Sequence, residues 1–184
     1  MRPLRLLVVG IVLSSLAASL VQAQVRIGIK AGVVTPGAFY CPDCTSGYES
    51  YDLNMSYGAG GFVDLKLGGT LALSPYVELT NLSLFDDQSS LLIEVGAGLK
   101  LSLGAPGAGV RFRPLIGIGF AKGGDYDIPW VGDAPTFGTA RGGLEVSFGR
   151  WFLEGVAWGA PFGGNDLTDA TFGPVARISA GLTF

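Results

Sequence analysis

The sequence predicts an all-β chain, an eight-stranded antiparallel up-and-down transmembrane β-barrel, and three observations carry that prediction. Apolar residues alternate with polar or small ones in eight successive stretches, the period-2 signature of strands with one oily face. The connections are long after the first, third, fifth and seventh stretches and short after the second, fourth and sixth. A barrel with both termini at one rim gives that asymmetry, and membrane barrels join short turns at one end to long loops at the other. Finally, wherever a stretch carries two charges they share a parity: Arg26 with Lys30, Asp64 with Lys66, Glu94 with Lys100, Arg111 with Arg113, and Arg141 with Glu145.

Residues 1–23 read as a secretory signal peptide. Arg2 and Arg5 precede an apolar run from Leu6 to Val21, and Val21-Gln22-Ala23 offers small residues for cleavage. Residues 24–184 then form one barrel domain. No later stretch approaches the ~20 apolar residues of a spanning helix, so any crossing is by strands.

The first strand runs from Val25, with Val25, Ile27, Ile29, Ala31 and Val33 on one face and Arg26, Gly28, Lys30 and Gly32 on the other. Residues 34–53, rich in Pro, Gly, Tyr and Ser, read as a long loop. The second strand, 54–67, sets Met55, Tyr57, Val63 and Leu65 against Ser56, Phe62, Asp64 and Lys66, and Gly68-Gly69 is a tight-turn signal. The third, 71–82, places Leu73, Val77 and Leu79 opposite Ser74, Tyr76 and Glu78. The fourth, 91–103, places Ile93, Val95 and Leu99 opposite Glu94 and Lys100. The fifth, 110–121, opposes Phe112, Ile116, Ile118 and Phe120 to Arg111 and Arg113. The sixth, 137–148, opposes Leu144 and Val146 to Arg141 and Glu145. The seventh, 151–160, has the weakest pattern, because Glu154 shares its parity with Phe152 and Trp158. The eighth is 172–184. Pro75, Pro114 and Pro174 fall inside strands, where a closed barrel has no free edge for a residue without an N–H, so bulges or rim positions are expected there.

The last stretch, F-G-P-V-A-R-I-S-A-G-L-T-F, ends on an aromatic residue with Ile178, Ala180, Leu182 and Phe184 on one face. It resembles the C-terminal strand of bacterial outer-membrane barrels, whose final Phe and alternating apolar positions are recognised by the barrel-assembly machinery. The whole of residues 25–184 resembles the small outer-membrane β-barrel families of OmpA/OmpX type, often labelled porin-like. That resemblance implies an outer-membrane location, a monomer in contact with lipid and lipopolysaccharide, and a role in envelope integrity, adhesion or surface recognition through the outer loops. No peptidoglycan-binding domain is expected after Phe184.

Charge parity alone suits a lipocalin-like soluble barrel with charges outward as well as a membrane barrel with charges inward. Glycine padding of the charged face, the terminal Phe and the loop asymmetry favour the second. Arg26, Lys30, Asp64, Lys66, Glu78, Glu94, Lys100, Arg111, Arg113, Arg141, Glu145, Glu154 and Arg177 would then share the lumen. Eight strands leave an interior just wide enough to be filled by side chains, and buried charges must be paired. An interlocking plug is expected, with a narrow passage for small solutes as the runner-up. Tyr57, Phe112, Phe120, Trp151, Phe172 and Phe184 are candidates for interfacial girdles.

Little chemistry is available for catalysis. The chain has no histidine, so His-activated serine chemistry and histidine-ligated zinc are ruled out. No enzyme activity, cofactor or metal centre is expected. Cys41 and Cys44 lie in the first long loop; in an exported chain a small disulfide staple suits that C-x-x-C better than redox or metal chemistry. Removing Arg2 and Arg5 takes the balance from 12 basic and 15 acidic residues to 10 and 15, a net charge of −5, which argues against nucleic acid as a partner. The loops carry Asp43, Glu49, Asp52, Asp86, Asp87, Asp125, Asp127, Asp133, Asp166 and Asp169 against one base, Lys122. Such loops are either simply solvated or gather divalent cations that bridge to lipopolysaccharide phosphates.

Overall fold

The computed structural model describes residues 25–41, 49–83, 89–104, 109–123, 136–162 and 171–184. The signal-peptide region, Cys44, and eight of the ten acidic loop residues lie outside these. So do the side chains of Cys41, Glu49, Asp52 and Phe172.

Ten strands are present among the described residues: β1 (Val25–Val34), β2 (Gly37–Cys41), β3 (Glu49–Leu53), β4 (Ser56–Gly68), β5 (Leu71–Ser83), β6 (Ser89–Leu101), β7 (Val110–Gly123), β8 (Thr136–Phe148), β9 (Trp151–Phe162) and β10 (Thr171–Thr183). Eight of them, β1 and β4 to β10, pair antiparallel in chain order. β10 returns to β1 through Gly28–Thr183 to Val34–Arg177 and closes the cylinder. Closure of the seam leaves no free sheet edge inside a bilayer.

The region 34–53, expected as a loop, instead contains β2 and β3. They are not a separate hairpin. The β1–β4 ladder runs from Val25–Leu65 to Val34–Ser56, and β2–β3 resumes in the same pairing frame from Gly37–Leu53 to Cys41–Glu49. β2 also continues the seam with β10, through Phe39–Phe172 and Tyr40–Thr171, and the Thr35 N–H donates to the Ala176 carbonyl at 2.8 Å between the two segments. The wall of the barrel therefore rises past the other strands on one side. Pro36 and the following Gly37 interrupt the alternation in the sequence without breaking the register.

The prolines are accommodated in two ways. Pro174 lies in a register shift between Phe172 and Val175. Pro75 faces Ala97 on β6, while the pairing with β4 is interrupted between Phe62–Tyr76 and Leu65–Leu73. Pro114 likewise faces Leu144 on β8 and leaves a gap toward β6 between Lys100–Leu115 and Leu103–Phe112. At Pro75 and Pro114 the missing N–H costs ladder bonds on one side only.

The short turns use glycine where L-residues are strained: Gly69 and Gly149 have φ of 48° and 63°. In the wall, glycine serves close approach. A Cβ at Gly143 would stand 2.1 Å from the Gly155 carbonyl oxygen and 2.8 Å from the Val156 Cα. Because backbone of the neighbouring strand cannot yield without opening the β8–β9 ladder, Gly143→Ala is expected to destabilise the barrel by about 1–3 kcal/mol. Urea unfolding in detergent micelles, followed by tryptophan fluorescence, would show this as a lower midpoint with unchanged slope.

Polarity is inverted relative to a soluble barrel. Ile27, Val95 and Ile178 are 51%, 50% and 56% exposed, whereas Glu145 is fully buried. The outer surface carries exposed Val, Leu, Ile and Phe on every wall strand, with Tyr57, Phe112, Phe120, Trp151 and Phe184 exposed among them. A large, contiguous apolar surface of this kind has no place in water. Around a closed barrel it is the lipid-facing band of a membrane-spanning one.

Candidate functional site

The inward parity brings eleven of the thirteen expected lumen charges together. Nearest the short turns, Arg26, Asp64, Lys100, Arg113 and Glu145 form one cluster. Arg113 bonds Asp64 at 2.6 Å and Glu145 at 3.1 Å; Lys100 reaches Glu145 at 2.9 Å and Asp64 at 3.2 Å; Arg26 reaches Glu145 at 2.8 Å. Arg113 Nε also donates to Ser102 Oγ at 3.2 Å. Glu145 thus receives three cations from three different strands, β1, β6 and β7.

Nearer the loops lies a second cluster of Lys30, Glu78, Glu94, Arg141, Glu154 and Arg177. Lys30 bridges Glu78 at 2.6 Å and also pairs with Glu154. Glu78 takes Arg141 at 2.7 Å and Arg177 as well. Glu94 accepts from the Tyr76 hydroxyl and the Thr139 hydroxyl, both at 2.8 Å, and stands 3.6 Å from Arg177. The register sets Glu78 directly opposite Glu94, and Glu145 directly opposite Glu154. Like charges so placed repel. Cations that reach across the lumen compensate these pairs together with directly facing cations such as Arg113 opposite Glu145, so the network joins contacts along the wall to contacts across the barrel.

Aromatic rings pack beside both clusters. Phe62 and Phe152 meet edge to face with centroids 5.5 Å apart, the preferred geometry for such rings. Gly28 and Gly181 make room for them, since a Cβ at either would lie 2.3 Å from a ring Cζ. Lys100 Nζ sits 3.7 Å from the Phe62 centroid and the Arg141 guanidinium 3.3 Å from that of Tyr76, so the rings also contact the charges on either side. Toward the loops, Val34, Leu82, Leu92, Ala121, Trp158 and Val175 pack into an apolar cap. A cavity lined by Lys30, Glu78, Thr80, Arg177 and Ser179 has about 10 Å³ of free volume, room for one water.

Two expected members are elsewhere. Lys66 and Arg111 have the inward parity but lie exposed at the short-turn rim, one inward position beyond Asp64 and Arg113. Parity set their face correctly; depth along the strand, which the sequence does not mark, put them in water. The aromatic layer and the hydroxyls of Ser102, Thr80 and Thr139 were absent from the expected network. Phe62, Tyr76, Phe152 and Trp158 share the parity of the charges, and that was the available signal. At the seam, Ile178 and Phe184 are exposed on the outer face, and the Phe184 N–H donates to the Ile27 carbonyl at 2.9 Å. Among the described residues no three thiols or carboxylates converge as metal ligands.

No family model matches the chain, and no curated protein does. Solved structures do. Neisserial surface protein A aligns over 88% of this chain and 97% of its own, with 12% identity and a TM-score of 0.56. The N-terminal β-barrel domain of Pseudomonas aeruginosa OprF aligns over 89% and 100%, with 18% identity and a TM-score of 0.49. Ail, the attachment invasion locus protein of Yersinia pestis, aligns over 86% and 98%, with 14% identity and a TM-score of 0.48. The likeness to the neisserial surface protein extends over nearly the whole of both chains, and it joins a closed eight-strand seam, an apolar exterior and an ionic interior: this chain has the fold of the small eight-stranded outer-membrane β-barrels.

Proposed function

We propose that the chain is a non-enzymatic integral protein of a bacterial outer membrane, a rigid barrel that serves envelope integrity or displays its acidic loops for surface binding. The inversion of polarity carries this reading, because an apolar exterior around a paired ionic interior is stable only with lipid outside. It also opposes the soluble lipocalin-like alternative, whose ligand would need an apolar interior. Export by residues 1–23, contact with lipopolysaccharide and handling by the assembly machinery through Ile178, Ala180, Leu182 and Phe184 belong to the same proposal.

Fractionation followed by electrophoresis with and without boiling tests it. The folded chain is expected to pellet with outer membranes and to change mobility on heating. Recovery in the soluble fraction without detergent would overturn the reading. The plugged lumen supports a barrel without conductance. Planar-bilayer recordings are expected to show no unitary steps, and steps abolished by closing substitutions at Lys30 or Arg177 would replace this reading with the narrow channel.

A further inference from the structure

We propose that the short-turn rim of the barrel is a docking surface for anionic phospholipid headgroups, engaged by Lys66, Arg111 and Arg150. This rests on the membrane reading above and adds a lipid preference to it.

Each of the three cations is exposed, and each stands next in sequence to an exposed apolar residue of the outer belt: Lys66 beside Leu67, Arg111 beside Phe112, Arg150 beside Trp151. They belong to three different hairpins, so they are spread around the circumference. One residue of strand rises ~3.3 Å, which places each charge within a headgroup's reach of the level where the apolar surface ends. Lys66 and Arg111 stand on the inward face at that rim and Arg150 in the turn, so their long side chains reach the headgroup zone over the strand ends. The segments Lys66–Leu71, Leu101–Arg111 and Phe148–Trp151 contain no Asp or Glu, and no carboxylate of the described residues pairs with Arg111 or Arg150. The long connections, which join the strands at the opposite end, contain ten Asp and Glu in the sequence against Lys122. The barrel is thus electrically polarised along its axis, its positive end ringed by the lower margin of the lipid-facing belt. A negatively charged leaflet is the surface that meets both features at once.

Trp151 is a built-in reporter beside Arg150, and Trp158 is buried inside the barrel. In a Trp130→Phe background, the full chain would be folded into phosphatidylcholine vesicles containing equal fractions of either brominated phosphatidylglycerol or brominated phosphatidylcholine. Quenching of Trp151 is expected to be roughly twofold steeper with the anionic lipid at low salt, and the difference to shrink as salt screens it. Combined Lys66→Gln, Arg111→Gln and Arg150→Gln substitution should equalise the two lipids, and each single substitution should remove part of the preference, with heat-modifiable mobility confirming that the variants fold. Equal quenching in the parent, or a preference that survives all three substitutions, overturns the proposal while leaving the membrane reading intact. Absence of quenching by either lipid overturns both.

Discussion

Replacing Glu145 with alanine is expected to cost about 3–5 kcal/mol of stability, the scale for removing one partner from a buried ionic cluster. Glu145 lies under Arg26, Lys100 and Arg113, all within hydrogen-bond distance, and Asp64 is the one other carboxylate in that cluster. With Glu145 gone, three cations would share a single counter-charge in a site from which water is nearly excluded. Urea titration of the folded barrel in micelles measures the loss, and Glu145→Gln separates charge from shape. If glutamine proves as stable as glutamate, the lumen is not held together electrostatically and the plug account fails. Replacing Arg113 and Glu145 together with apolar residues of similar volume should recover much of the loss, since a well-packed neutral pair avoids the desolvation cost altogether.

Ile118→Arg should destabilise the barrel in vesicles by about 2–4 kcal/mol, because the side chain lies midway along β7 on the outer face, where the bilayer is driest. Leu67→Arg, on the same outer surface but at the short-turn rim, should cost only about 0–1 kcal/mol. The contrast between the two is the measurement that matters. Equal and small effects at both depths would mean that water, not hydrocarbon, surrounds the barrel.

What the sequence reveals of this barrel follows from which quantities a period-2 pattern encodes. It encodes the face of a residue. The inside and outside of all eight wall strands were therefore legible, even in β9, where Glu154 assigned Phe152 and Trp158 to the interior against their hydrophobicity. It does not encode depth, so Lys66 and Arg111 were assigned to a lumen that ends just short of them. Nor does it encode pairing frame. Gly37–Cys41 and Glu49–Leu53 have little alternation of their own, and they are strands because the ladders below them, β1 with β4 and β1 with β10, continue upward and hold them in step. The partners within the lumen were equally hidden, since contacts such as Arg113–Asp64 and Lys30–Glu154 join residues far apart in the chain whose meeting depends on closure.

The single pairing frame shared by β1–β4 and β2–β3 has a practical consequence for engineering the exposed end. Extra sequence grafted between Cys41 and Glu49 lengthens the tip without disturbing any rung beneath it, so that junction is the natural place to display a foreign peptide. One residue added at Thr35 or Pro36 alone would instead throw β2 out of phase with both β3 and β10, exchanging its two faces at a stroke.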